Sequence, residues 1–304
     1  MEKFFFVTDK DINSRIDRWF KRNVSEVPQS LIEKNLRKGH IKINNKKKKS
    51  SYKLQKNDKI FIDILDLQSN THTETRQEYK PTRIELRSSH GMFIENNENF
   101  VVINKPADIA VQPGTKSIRN ILDILKSTKE FMNATPFIVH RIDKETTGIL
   151  IVAKNRKYAQ LFTTLFRIRK IHKIYLGIVI GEFSKAKGTL EDDLIYYEGK
   201  KKIKVKAITH FTVIDSNNNY SFLKLNPVTG RKHQLRKQLL IHGHPIVGDT
   251  KYKLLEYRSN KKKNLMLHAH KINFSINDEK YKFTAQLPNY FKKMLNEKYL
   301  KNFL

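Results

Sequence analysis

The chain has 304 residues, 60 Lys+Arg against 30 Asp+Glu for a net charge of +30, and no cysteine. The missing cysteines exclude disulfides, thiol nucleophiles and thiolate metal sites, while the length suggests about two domains. The charge points to a polyanion, nucleic acid before a membrane surface, because lysine and arginine displace condensed counterions.

Lysine, asparagine and isoleucine are abundant throughout, so part of the basic excess also fits the habit of AT-rich genomes. No stretch approaches the ~20 continuous apolar residues of a spanning helix. The N-terminus, MEKFFFVTDKD, is too short and too acidic for a signal peptide. A bacterial cytoplasm is the expected location, with no membrane partner.

In chain order, SRIDRWFKR (14–22) places Ile16, Trp19 and Phe20 at helical spacing, with Ser14 available as a cap. Ser30 and Glu33 have capping-box spacing, and Gly39 ends a second helix carrying Leu31, Ile32 and Leu36. A short strand IKIN, a turn NKKKK and the alternating strand KIFIDIL (59–65) follow. Residues 1–70 hold 17 basic and 9 acidic residues, so neither part of the chain is the sole basic one.

RIDRWF, SLIEKNLRKGHIKIN and YKLQKNDKI together resemble the S-four-type RNA-binding module named after a ribosomal small-subunit protein, over about residues 13–65. The resemblance implies RNA contact from its helices, with Arg37 and Lys38 as contacts. The expected layout is a 1–68 RNA-binding module, a polar linker over 69–90, and a larger domain over 91–304.

In that larger domain, PFIV and ILIVA (149–153) read as buried strands around HRIDKETTG (140–148). NRKYAQLFTTLFRIRK (155–170) puts Tyr158, Leu161, Phe162 and Leu165 on one helical face. Strands follow at IHKIYLGIVI, AITHFTVID and YSFLKLN, the last two joined by Ser-Asn-Asn-Asn in a hairpin. KHQLRKQLLIHG (232–243) reads as a helix ending at Gly243. A further hairpin, LMLHAHKINFSI–ND–EKYKFTAQL, precedes a C-terminal helix. Hairpins with interspersed helices predict an α+β fold with a mixed, largely antiparallel sheet.

Two motifs fail on inspection. HRID lacks the companion elements of a kinase catalytic loop, and its aspartate falls one residue late. GHPIVGDT (243–250) has Walker-type glycine spacing, but Asp249 stands where a phosphate-holding lysine belongs. HGH and HAH favour a structural or RNA-contacting role over a metal site. Asp143 is the chemical candidate, against the plain use of aspartate to start a turn. Glu145 is the only acid near it in sequence, and need not converge on the same atom.

Three observations favour chemistry. Ile174, Leu176, Ile178 and Ile180 fill one strand face, so Tyr175 points the other way, towards a cleft. Arg231, His233 and Arg236 surround a turn into a helix, and Arg236 can pair with a carboxylate. LMLHA supplies another strand of the same sheet.

HRIDKETTGILIVAKN, KIYLGIVIG, NPVTGRKHQLRKQLLIHGHPIVGDTKY and LHA, with NKPADIAVQPG in front, resemble the RluA-type family of RNA pseudouridine synthases over about residues 92–290. The two-domain layout is similar to members of the RluC/RluD type that act on large-subunit ribosomal RNA. The chain departs from the usual pattern at Ile142, Thr147, Lys232 and Leu235, and at Asp108, where glycine is usual. If the backbone there takes positive φ, aspartate tolerates it less well.

A monomer is the expected state, which the sequence itself does not show. The resemblance implies isomerisation of uridine to pseudouridine, with no metal and no other cofactor. It makes Asp143 the catalytic carboxylate, Arg236 its partner, and Tyr175 the residue that stacks on uracil and serves or relays to the base. Arg141 would stabilise the flipped nucleotide, with Lys105, Arg231 and His233 as phosphate or pocket contacts. The alternatives are a synthase acting on transfer RNA and a non-catalytic ribosome-assembly factor.

Overall fold

The computed structural model describes residues 2–25, 27–63, 79–114, 118–198, 201–254 and 264–301, and the chain divides into two units, Met1–Gln77 and Glu78–Leu304. In the smaller unit, strands β1 (Glu2–Phe6), β2 (Ile41–Ile43) and β3 (Lys59–Asp63) pair in the order β1-β3-β2. Strand alternation sends Phe5, Ile41, Ile43, Ile60 and Ile62 to one face. There they pack with Ile16, Trp19 and Phe20 of helix α1 (Ile16–Asn23) and Ile32 and Leu36 of α2 (Gln29–Lys38).

Gly39 ends α2 with φ at 89°, a left-handed cap that glycine adopts without strain. The expected serine caps are not formed. Arg15 and Pro28 occupy the cap positions, and the fixed φ of Pro28 starts α2 two residues earlier than Ser30 would.

The larger unit is built on one ten-stranded sheet. Its strands are β4 (Phe93–Asn96), β5 (Phe100–Lys105), β6 (Phe137–Ile138), β7 (Thr147–Ala153), β8 (His172–Ile180), β9 (Lys187–Glu198), β10 (Lys201–Asn217), β11 (Tyr220–Pro227), β12 (Leu267–Ile276) and β13 (Glu279–Thr284). The order is β4-β5-β7-β12-β8-β11-β10-β9, with β13 also on β12 and β6 on β7. Among the named pairs only β7 with β12 is parallel, so the sheet is mixed and mostly antiparallel, as the sequence predicts. Strand β9 escapes the sequence reading, because KGTLEDDLIYYE carries the acidic side chains of a sheet edge.

Both faces of the central strands are covered, which explains why ILIVA is apolar without interruption. Leu150 and Val152 turn to a cluster with Ile121, Ile124 and Leu125 of helix α4 (Ile121–Lys126). Ile149, Ile151 and Ala153 turn to the opposite cluster, which holds Phe162 of α5 (Arg156–Arg167). A third cluster packs β8 and β11 against Leu235 and Leu239 of α6 (Gln234–Ile241), and Phe291 and Leu295 of α7 (Asn289–Glu297).

The linker expected over 69–90 is corrected in its second half by helix α3 (Arg83–Ser89). Thr82 and Glu85 cap it reciprocally, and the Tyr79 N–H donates to the buried Asp123 at 3.3 Å. Polar composition concealed a helix tied to the larger unit. The rest of that linker, 69–78, and the last two residues of the 59–65 strand lie outside the described residues.

Candidate active site

The segment His140–Thr146 runs from β6 into β7 and is fixed at both ends. At its start the His140 ring stacks on Phe166, with centroids 4.5 Å apart, and its Nε2 accepts the Ile151 N–H at 2.8 Å. Burial, helped by the charge of Lys173, lowers its pKa to about 3, so the ring is neutral and structural. At the other end Gly148 has φ at 106°, and a Cβ there would lie 2.2 Å from the Ala269 carbonyl oxygen. Only glycine lets β7 approach β12 so closely.

Between these anchors the Thr146 N–H donates to the Asp143 carbonyl at 3.2 Å and closes a turn. The turn role of aspartate is therefore real, but it uses the backbone. The side chain, 24% exposed, lies 3.3 Å from Arg236 Nη1 and 3.7 Å from His233 Nε2.

Arg236 is 2% exposed and is held mainly from behind. Its Nε and Nη2 donate to the two carboxylate oxygens of Asp249 at 2.6 and 2.8 Å, a bidentate pair, and Nη1 also reaches Glu145 at 3.2 Å. Burial opposes the charge. The Asp249 hydrogen bonds, then the charges of Asp249, Asp143 and Glu145, carry the guanidinium above its ordinary value.

Helix α6 is oriented by amides as well as by leucines. Gln234 donates to Thr209 Oγ1, and Gln238 accepts from Thr209 and donates to Asp192. His233 caps the helix in the left-handed region, φ 53°, with Nδ1 bonded to the Tyr252 hydroxyl at 2.9 Å. Burial lowers its pKa against the pull of Asp143.

A cleft of about 530 Å³ brings Arg141, Asp143, Tyr175, Arg231, His233 and Arg236 together. Tyr175 reaches it from β8 while Leu176 and Ile178 turn into the core, as alternation predicts. Burial, reinforced by the charge of Asp143, pushes its phenol well above the ordinary value, so it is protonated at neutral pH. Arg231 lies at the exposed edge, its Nε donating to the Lys206 carbonyl at 3.1 Å.

Lys173, Arg167 and Arg169 also line the cleft and were missed. Lys173 stands two residues before Tyr175 on one strand, a period-2 signal that was available in the sequence.

Lys105 is a correction. Expected as an RNA contact, it is 0% exposed, and its Nζ donates to the carbonyls of Pro106, Ile109 and Lys144 at 2.8, 3.0 and 3.0 Å. Burial lowers its pKa to about 7 although Glu145, Asp143 and Asp108 pull the other way. It buttresses the backbone behind Asp143. Asp108 does take positive φ, 62°, where the resemblance has glycine.

Arg37 and Lys38 are exposed in the last turn of α2 in the smaller unit, where cations also suit the helix dipole. Of the histidine pairs, His268 is buried between Thr147 Oγ1 and the Ala285 carbonyl, and His270 bonds to that same carbonyl. His242 pairs with Asp192, and His244 lies against Phe183.

A carboxylate 3.3 Å from a buried guanidinium, in a cleft also lined by a tyrosine and exposed arginines, is an arrangement able to do chemistry on a polyanion. The model of the family described as RNA pseudouridylate synthase matches residues 99–240, which include Asp143, Tyr175 and Arg236. The ribosomal large subunit pseudouridine synthase C of Buchnera aphidicola subsp. Baizongia pistaciae is 30% identical over 307 residues, 96% of each chain. That of Rickettsia conorii is 32% identical over 300 residues, 93% of this chain and 97% of its own. Among solved structures, human RNA pseudouridylate synthase domain containing 4 aligns with a TM-score of 0.61 at 27% identity, over 72% of this chain and 97% of that one. The chain belongs to the RNA pseudouridine synthase family, of the RluA type, and is an enzyme that isomerises uridine to pseudouridine.

Proposed function

We propose that the substrate is large-subunit ribosomal RNA and that Asp143 is the catalytic carboxylate. The names of relatives similar over nearly the whole chain support the substrate. The observation that carries the residue assignment is the Asp143–Arg236 contact at 3.3 Å in a cleft that Tyr175 also lines.

The target uridine leaves its stack, at a cost of a few kcal/mol in unstacking, and enters the cleft with Arg141 at its edge. The bond from N1 to the anomeric carbon breaks, and Asp143 stabilises or captures that carbon. The uracil turns, carbon-5 bonds to the sugar, and the carbon-5 proton leaves while N1 regains one. Arg236 aims Asp143 and, anchored on Asp249, cannot swing away with it.

Tyr175 stacks on uracil. Its raised pKa makes it a poor base unaided, so proton removal from carbon-5 passes through it only when a second acceptor takes the proton. Arg231 and His233 contact the flanking phosphate and sugar. The smaller unit adds a second RNA surface through Arg37 and Lys38, and the enzyme works as a cytoplasmic monomer without added cofactor.

Tritium release from carbon-5-labelled uridine tests this, with large-subunit ribosomal and transfer RNA transcripts and a pre-assembled ribosomal particle as substrates. Wild type is expected to release tritium from ribosomal RNA, and Asp143→Asn to be slower by roughly 10³-fold or more with RNA binding retained. Release from transfer RNA alone would overturn the substrate, and an active Asp143→Asn would overturn the residue.

A further inference from the structure

Helix packing in the smaller unit uses one face of its sheet. The other face carries Phe4 and Phe6 of β1, Lys59 and Phe61 of β3, and Lys42 of β2. They stand in register, with Phe4 opposite Phe61, Phe61 opposite Lys42, and Phe6 opposite Lys59. None of the five belongs to the unit's hydrophobic core. Phe4 is 49% and Phe6 68% exposed, although side chains of this kind are usually turned inward.

The Phe4 and Phe61 rings lie 5.3 Å apart. Lys59 Nζ stands 4.4 Å from the Phe4 centroid and 5.8 Å from that of Phe6, and Lys42 Nζ stands 5.5 Å from Phe61. Phe4 and Phe6 are two residues apart on a strand, about 7 Å at ~3.4 Å per residue.

We propose that this face binds single-stranded RNA by stacking successive unpaired bases on Phe4 and Phe6, with Lys42 and Lys59 meeting the flanking phosphates. The proposal rests on the reading of the chain as an RNA enzyme and gives its smaller unit a specific role. Every base has a π-face, so such a platform tolerates sequence but requires bases that are not already stacked in a duplex. An uncharged apolar partner would account for exposed rings, but not for ammonium groups over them on a segment with 17 basic and 9 acidic residues. Charge complementarity selects the polyanion. When a base arrives, Lys59 leaves the rings for a phosphate, a move its flexible stem permits.

The test uses the full chain in fluorescence anisotropy, with short oligouridine and a blunt RNA hairpin of equal length. Phe4→Ser/Phe6→Ser is expected to bind oligouridine roughly tenfold or more weakly and the hairpin unchanged, while Phe4→Tyr/Phe6→Tyr binds both like wild type. An oligonucleotide carrying 2-aminopurine is expected to be quenched on binding wild type and Tyr175→Leu alike, which separates the platform from stacking in the cleft even if the serine variant misfolds. Equal weakening on both RNAs, unchanged oligouridine binding, or no quenching by wild type would overturn the platform. Tritium release by wild type runs alongside. Its absence, with binding still sensitive to the serine pair, would sink the isomerase reading and leave the platform standing.

Discussion

Arg236 and Lys105 both reach the segment between Arg141 and Thr146 from buried positions, 2% and 0% exposed. Arg236 is met by the carboxylates of Asp249, Asp143 and Glu145. Lys105 is met by three neutral carbonyls. Full charges keep the guanidinium charged despite burial, whereas carbonyl dipoles leave the ammonium near its neutralisation point at about 7. One side of the loop therefore supplies a fixed charge to Asp143, and the other supplies shape. Burial alone does not tell a cation that holds a carboxylate from one that holds backbone; the partners do.

The contrast breaks most sharply at Arg236. Arg236→Met strands Asp249, whose side chain is fully buried, and is expected to cost about 3–5 kcal/mol in urea unfolding. A cost below ~1 kcal/mol would mean that Asp249 needs no cation.

Next comes the acid limb. His140 has a folded pKa of about 3 against an ordinary 6.5, so below 6.5 the unfolded chain takes up a proton that the folded one refuses. Its contribution is complete above pH 6.5 and falls towards pH 3 with a slope of up to about 1.4 kcal/mol per pH unit. His140→Asn should flatten that slope in unfolding curves; an unchanged slope would rule the ring out as its source.

Lys105→Met should cost roughly 1–3 kcal/mol by leaving carbonyls without their donor. The sign with pH is distinctive. Between about 7 and 10.5 the unfolded chain holds the Lys105 proton and the folded chain does not, so wild type gains stability as pH rises through that window. The methionine variant should lack this gain, and a parallel pH response in both proteins would refute the buried, depressed lysine. The smallest effect is expected for Glu145→Gln, whose side chain is 41% exposed, at about 0–1 kcal/mol. A larger loss would move Glu145 into the same rank as Asp249.

The sequence made Arg236 and Tyr175 legible because motif order and strand period act locally. It misled at Asp249, where a failed phosphate loop disguised a carboxylate that meets Arg236 thirteen residues away. It misled at Lys105 because a lysine is assumed to be solvated until its neighbours in space are known. Helix α3 was present in the sequence as Thr82 and Glu85 at capping spacing, but polar composition outweighed that signal. Strand β9 does alternate, with Leu190 and Leu194 buried and their neighbours exposed or half-buried, but Asp192 on the inward side breaks the apolar period in the sequence.

The arrangement of charge in the cleft has a consequence for what enters it. Asp143 and Arg236 line the cleft, Asp249 and Glu145 bond to the same guanidinium, and Arg141, Arg167, Arg169 and Arg231 line the cleft as exposed residues. A carboxylate paired to a buried guanidinium beside exposed arginines would sort the parts of a polyelectrolyte by charge. On the proposed reading, an uncharged ring reaches the carboxylate while the phosphates that flank it stay with the exposed arginines.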